Sequence, residues 1–334
     1  MQNETEIGLT SAEISQLWVT YQSDSMSICI FKYFLEKVKD ADVKKLIEIS
    51  LSLAEEHIKT ITDIFNKEGY PIPQGFNESD VNIKAPPLYD DSFILFYIRN
   101  MSRIGLGSYS VSAPQMSRPD VLKFFSDCLT SSLDLSNQTI NMKLSKGLYV
   151  RPPIITIPDK IDFIESKNFL TGFFGEKRAM TSAEITSLFI NIQSNNIGKA
   201  LLTGFAQVVD SEQVADFLRR GIDLSEKHME IFSSKLENER IPSPLPSDTF
   251  VTNSTISPFS DKLIMYHASL MIIAGISNYA TAMTTCLRHD LQADFVRLTA
   301  EIAKYSADGL HILIENGWME MPPQAVSHAA LSRS

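Results

Sequence analysis

The chain has 334 residues, 44% hydrophobic and 21% charged, a balance that describes folded globular units and excludes a largely disordered protein. Thirty Lys and Arg against forty Asp and Glu give a net charge of −10, and no local basic run offsets it, so a nucleic-acid backbone is excluded as partner. At roughly 100–200 residues per domain, the length predicts two units, each large enough to bury its own core.

The opening residues Met1 to Glu4 lack the positive and apolar regions of an export signal, so a cytoplasmic chain is expected. Its most apolar stretch, Leu270 to Ile276, contains a glycine and falls far short of the roughly 18–20 residues that span a bilayer, so no membrane insertion is expected. Cys29, Cys128 and Cys286 show no metal-ligand spacing and read as small buried hydrophobes in a reducing compartment.

In chain order, Thr10-x-x-Glu13 is a capping box that opens helix A, about residues 11–38, with Ile14, Leu17, Tyr21, Ile28, Phe31 and Leu35 on one face. The Lys39-Asp40 turn leads to an antiparallel helix B, with Val43, Ile47, Ala54, Ile61 and Phe65 on its stripe and an end before Gly69. The segment from Gly69 to about Asp90 carries four prolines and no periodicity. It is long enough to run back along the bundle, so helix C (about 91–113) starts parallel to B. Helix D runs from Pro119 to about Lys146 and is closed by Gly147.

The whole plan then repeats. Thr10 to Ile14 matches Thr181 to Ile185, and an offset of 171 carries His57 onto His228. Beyond the long loop the offset is 170, which carries Tyr109 onto Tyr279 and Pro152-Pro153 onto Pro322-Pro323. The reading is an all-α chain of two four-helix bundles, 1–150 and 179–334, each with a long B–C crossover, joined by a Pro- and aromatic-bearing linker over 151–178.

These residues also carry a resemblance. Thr10 to Ile14, Lys32 to Glu36, Gly147 to Pro153, Gly172 to Glu176 and Ala300 to Tyr305 resemble the tandem form of a family from Bacillus-type spore formers, a domain of unknown function sometimes labelled spore-coat-like. The resemblance implies a ferritin-like bundle and a setting in sporulation or stress. It brings no catalytic residues.

A ferritin-like bundle raises the question of a di-iron site, which needs Glu-x-x-His on two helices. Neither helix B has one: Glu55 and His57 point about 200° apart, as do Glu226 and His228. Both histidines fall on the buried stripe. Counting across the A–B turn sets Asp24 level with His57 and Asn195 level with His228, and Ser136 and Ser306 lie midway along the two D helices. The expectation is a buried polar layer of Asp24, His57 and Ser136 in one bundle and Asn195, His228 and Ser306 in the other, acting as hydrogen-bonded core. The competing expectation is a divalent metal held by Asp24 and His57, with His228 as a degenerate counterpart. No other cofactor is expected, and His267, early in its helix C while His228 lies past the middle of helix B, is set about 15 Å from the level of His228 and is not expected to share an ion with it.

The linker residues Ile161, Phe163, Phe169, Phe173 and Phe174 are expected to dock between the bundles and pack them together, or else to expose Gly172 to Gly175 as a recognition tip for a protein partner. The functional reading is a non-enzymatic structural or interaction protein. The alternatives are a metal-binding or oxidative role, and small-ligand binding in one bundle core beside the polar layer.

Overall fold

In the computed structural model, the described residues are 7–173, 177–244 and 250–325, and their architecture is all-α. The first bundle comprises α1 (Ser11–Lys37), α2 (Ala41–Lys67), α3 (Asp91–Ser112) and α4 (Pro119–Ser145). The second comprises α5 (Ser182–Val208), α6 (Glu212–Glu237), α7 (Asp261–Thr285) and α8 (His289–Glu315). The expected boundaries agree within a residue, because caps and breakers stand at the ends: both Thr-x-x-Glu boxes form, and Gly69, Gly147 and Gly317 take the left-handed conformation that glycine adopts without strain.

Helix direction follows from two carboxylates. The backbone N–H groups of Lys39 and Asp40 donate to Asp91 at 3.1 and 2.7 Å, which sets the start of α3 beside the α1–α2 turn and makes α3 parallel to α2. Glu13, fully buried, accepts from Thr10 N (2.8 Å) and also from Ser117 N (3.0 Å) and Arg118 N (2.8 Å), so it caps α1 and α4 together. Glu184 does the same for α5 and α8 through Thr181, Leu287 and Arg288. The buried guanidinium of Arg118 bridges Glu68 and Asp120, and Arg288 bridges Glu239 and Asp290. These paired ionic staples went unrecognised in the sequence, where Glu13 reads only as a capping-box residue.

The halves pack on each other through their crossovers, which pair antiparallel. Asn82 N donates to Pro258 O (2.7 Å) and Thr252 N to Leu88 O (3.0 Å), while Ser260 N donates to Asp80 O and Asp90 N to Phe250 O, both at 3.0 Å. In the repeat alignment each bond maps onto its partner, so the two halves meet about an internal pseudo-twofold axis, the geometry of an isologous dimer within one chain. Tyr97 and its counterpart His267 touch across this interface (hydroxyl to Nε2, 3.3 Å), and Tyr89 sends its hydroxyl to Leu201 O at 2.7 Å. One hydrophobic core therefore runs continuously from Met26 and Phe34 of the first half to Phe295 and Leu313 of the second, and a smaller cluster around Leu17, Phe65 and Phe125 fills the far end of the first bundle.

Two expectations need correction. The linker does not bridge the halves: Ile154, Ile157, Ile161 and Phe163 are 87–96% exposed, and the crossovers pack the bundles instead. Gly172 is not a free tip either. It lies buried against Asp290, whose Oδ1 would stand 2.0 Å from an added Cβ, and Phe174 to Glu176 fall outside the described residues. Among the described residues α7 is long and apolar enough to cross a membrane; here it packs against α5 and α8, burying Leu263, Ile264, Met265 and Ala268.

Candidate functional site

The two expected polar layers exist at the histidines but are wired differently. In the first bundle His57 Nδ1 lies 3.0 Å from Asp24 Oδ2, as the turn counting predicts, and Nε2 lies 3.4 Å from Cys128 Sγ. The hydrogen-bond pattern assigns the Nδ1 proton to the Asp24 bond and leaves Nε2 to accept from the thiol. Ser136 is absent from this layer; it accepts from Arg99 Nη1 at 2.8 Å, farther along α4. His57 lies eleven residues before Glu68, and Cys128 ten after Arg118, and the Arg118–Glu68 pair levels the two helices there. The midpoint of helix D is thus the wrong reference.

This layer has the order thiol, imidazole, carboxylate, but it is closed. Cys128 is 0% exposed, the rings of Phe124 and Tyr109 stand edge-on to His57, and burial, with Asp24 adding to it, pushes the thiol well above its ordinary range. Burial also raises Asp24. For His57 burial opposes protonation, yet the Asp24 hydrogen bond and charge outweigh it and raise the imidazole. Asp24 and Cys128 occupy opposite ring nitrogens, whose lone pairs diverge, so these donors do not converge on one ion. Among the described residues no three His, Cys, Asp or Glu side chains do.

In the second bundle His228, 1% exposed, meets the Tyr279 hydroxyl through Nδ1 (3.0 Å) and Glu301 through Nε2 (3.4 Å). Asn195 reaches it only through Tyr279, donating to the hydroxyl at 2.8 Å. The consistent assignment has Tyr279 donating to Nδ1 and the Nε2–H donating to Glu301, a neutral ring, in keeping with burial lowering the His228 pKa. Ser306 is not among the hydrogen-bond partners of His228. Tyr279 and Glu301 were not singled out in the sequence, although the matched Tyr109/Tyr279 pair was a signal for the first.

Beside this layer lies a cavity of about 80 Å³, bounded by α5, α6, α7 and α8 with Asn100 and Ile104 of α3. Gly198, Gly221 and Gly275 bring three of these helices to its wall. Where the first repeat has Phe31, Ile98 and Ile104, the second has Leu202, Ala268 and Ala274, so the space arises partly from smaller side chains; Tyr305 in place of Leu135 works the other way. Two of the lining residues carry a buried polar atom with no partner among the described residues, Asn191 Oδ1 and Ser194 Oγ, while Asn191 Nδ2 is satisfied by Ser187 O at 2.8 Å. Leaving such atoms unpaired costs about 1–3 kcal/mol each. The lining contains no Asp, Glu, Lys or Arg.

A search of curated proteins finds no match. A solved structure from Bacillus halodurans, provisionally described as a spore coat protein, is similar at 19% identity with a TM-score of 0.42, covering 46% of this chain and all of its own. Two successive segments, residues 1–161 and 168–331, match the family described as protein of unknown function DUF3231, and the chain belongs to that family, carrying its domain twice.

Proposed function

We propose that this is a non-catalytic binding protein, whose second bundle takes up one small neutral molecule beside His228 while the first bundle, its equivalent layer closed, serves as scaffold. The observation that carries the reading is the cavity beside His228, whose lining joins Leu202, Met271 and Ile302 to His228, Tyr279 and two residues, Asn191 and Ser194, that each keep a buried polar atom without a partner among the described residues. An amide oxygen accepts, so the ligand brings a hydroxyl or amine donor; the apolar wall asks for a compact hydrocarbon body, and the uncharged lining for no net charge. Phenol has this chemistry and serves as the probe. Isothermal titration of the full chain with phenol should show saturable binding that disappears when Ala268 and Ala274 are replaced by the isoleucines of the first repeat. No saturable heat in the parent, or equal binding in the filled variant, overturns the reading.

A second reading, an interaction role through the linker, is favoured by the exposed run Ile154, Ile157, Ile161 and Phe163. Its test is whether serine at Ile157, Ile161 and Phe163 abolishes concentration-dependent self-association in sedimentation. Parent and variant behaving alike would remove self-association as the use of this segment.

A further inference from the structure

Buried cations in this protein come with carboxylates. Arg118 and Arg288, 5% and 1% exposed, each hold two. One group breaks this pattern. Arg99 and Arg103 stand one turn apart on the same face of α3, and Lys143, 7% exposed, faces them from α4. Arg99 spends one donor on Ser136 Oγ at 2.8 Å. Arg103 has no hydrogen-bond or ion-pair partner among the described residues. Lys143 has only ring faces, its Nζ lying 3.9 Å from the Phe96 centroid and 5.5 Å from that of Tyr149. Nζ nevertheless is not among the sealed, unpartnered atoms, so the ammonium tip can be reached.

Lys143 feels both guanidiniums, and Arg103 feels Arg99. Burial and the two guanidiniums lower Lys143 to about 8; burial and Arg99 lower Arg103; burial lowers Arg99. In a chain of net charge −10, one buried and two half-buried cations held together with no counter-charge among the described residues form a site short of an anion. The second repeat supplies the contrast, because Ser269, Ile273 and Leu313 stand at the equivalent positions and the charge is absent. No basic patch shows along the sequence because these residues are spread over more than forty positions and meet only when α3 packs on α4.

We infer that Arg99, Arg103 and Lys143 form an oxyanion-binding site on the α3–α4 face of the first bundle, taking a phosphate group, either free or as a monoester. Two guanidinium forks and an ammonium offer planar and point donors to a tetrahedral dianion, the pairing for which arginine is best suited. Phe96 and Tyr149 flank the ammonium, so the organic part of a monoester has aromatic surface to rest on. This inference is independent of the cavity in the second bundle.

The test is titration of the full chain with inorganic phosphate and, in a second arm, phenyl phosphate, against chloride at matched ionic strength. Phosphate should bind, and Arg103→Gln should weaken it by about tenfold or more. Tighter binding of phenyl phosphate identifies the monoester as the preferred form; equal binding identifies the free anion. Without phosphate, Lys143→Met should raise the melting temperature by relieving repulsion, and should remove the further rise that phosphate gives the parent. Phosphate binding no better than chloride, undiminished binding in Arg103→Gln, or a lower melting temperature for Lys143→Met would each overturn the inference.

Discussion

Replacing Glu13 by glutamine tests how the first bundle is closed. The Glu13 carboxylate is fully buried, and burial alone would raise its pKa; the N–H donors of Thr10, Arg118 and Ser117 outweigh that and hold it at about 2, against 4.5 for a free side chain. At 1.36 kcal/mol per pH unit, the drop corresponds to about 3 kcal/mol as an upper figure. Because the folded pKa is lowered, this stability is present above pH 4.5 and is lost as pH falls toward 2. Glutamine keeps one acceptor and turns an NH₂ toward a donor, so most of the contribution should vanish. Urea unfolding followed by helical circular dichroism should place the variant about 2–3 kcal/mol below the parent at pH 7, with the gap narrowing below pH 4.5. A gap under about 0.5 kcal/mol at pH 7, or one unchanged down to pH 2.5, would refute the reasoning.

Other expectations follow from the same geometry. Chymotrypsin should cut the native chain first near Phe163, which is 88% exposed, and the fragments should co-elute because the crossovers and a continuous core join them; separation on gel filtration would contradict that interface. All three thiols are buried, and burial raises Cys29 and Cys286 to about 11 and Cys128 further, so a thiol reagent should label none until the chain unfolds; fast labelling of Cys128 would show that the His57 layer is open. Gly172→Ala drives a Cβ into Asp290, a partner of Arg288, and should lower stability by about 1–3 kcal/mol. A melting temperature equal to the parent's would contradict that close approach.

Much of this fold could be read from sequence because it is written twice. Each capping box and crossover had a second copy, as did the Gly147 stop in Gly317, while Arg240 stands where the first repeat has Gly69; helix periodicity supplied the rest. The Asp24–His57 contact was legible too, since both residues count from one short turn. Legibility failed where position depends on packing between distant elements. Cys128, not Ser136, neighbours His57 because α4 is levelled through its N-cap Arg118 by Glu13 and Glu68, which are distant in sequence. The pairing of the two crossovers joins segments some 170 residues apart and has no local signature. The cavity depends on differences between aligned residues, such as Ile98 against Ala268, that only three-dimensional neighbours make meaningful.

The central claim is that the second bundle holds a small neutral molecule against Asn191 and Ser194, and a crystal of the full chain soaked in phenol tests it most directly. The account predicts density for a ring in the cavity beside His228, with its hydroxyl on Asn191 Oδ1. A cavity closed by its own side chains, with Asn191 Oδ1 paired to a protein donor and no ring bound, would contradict it.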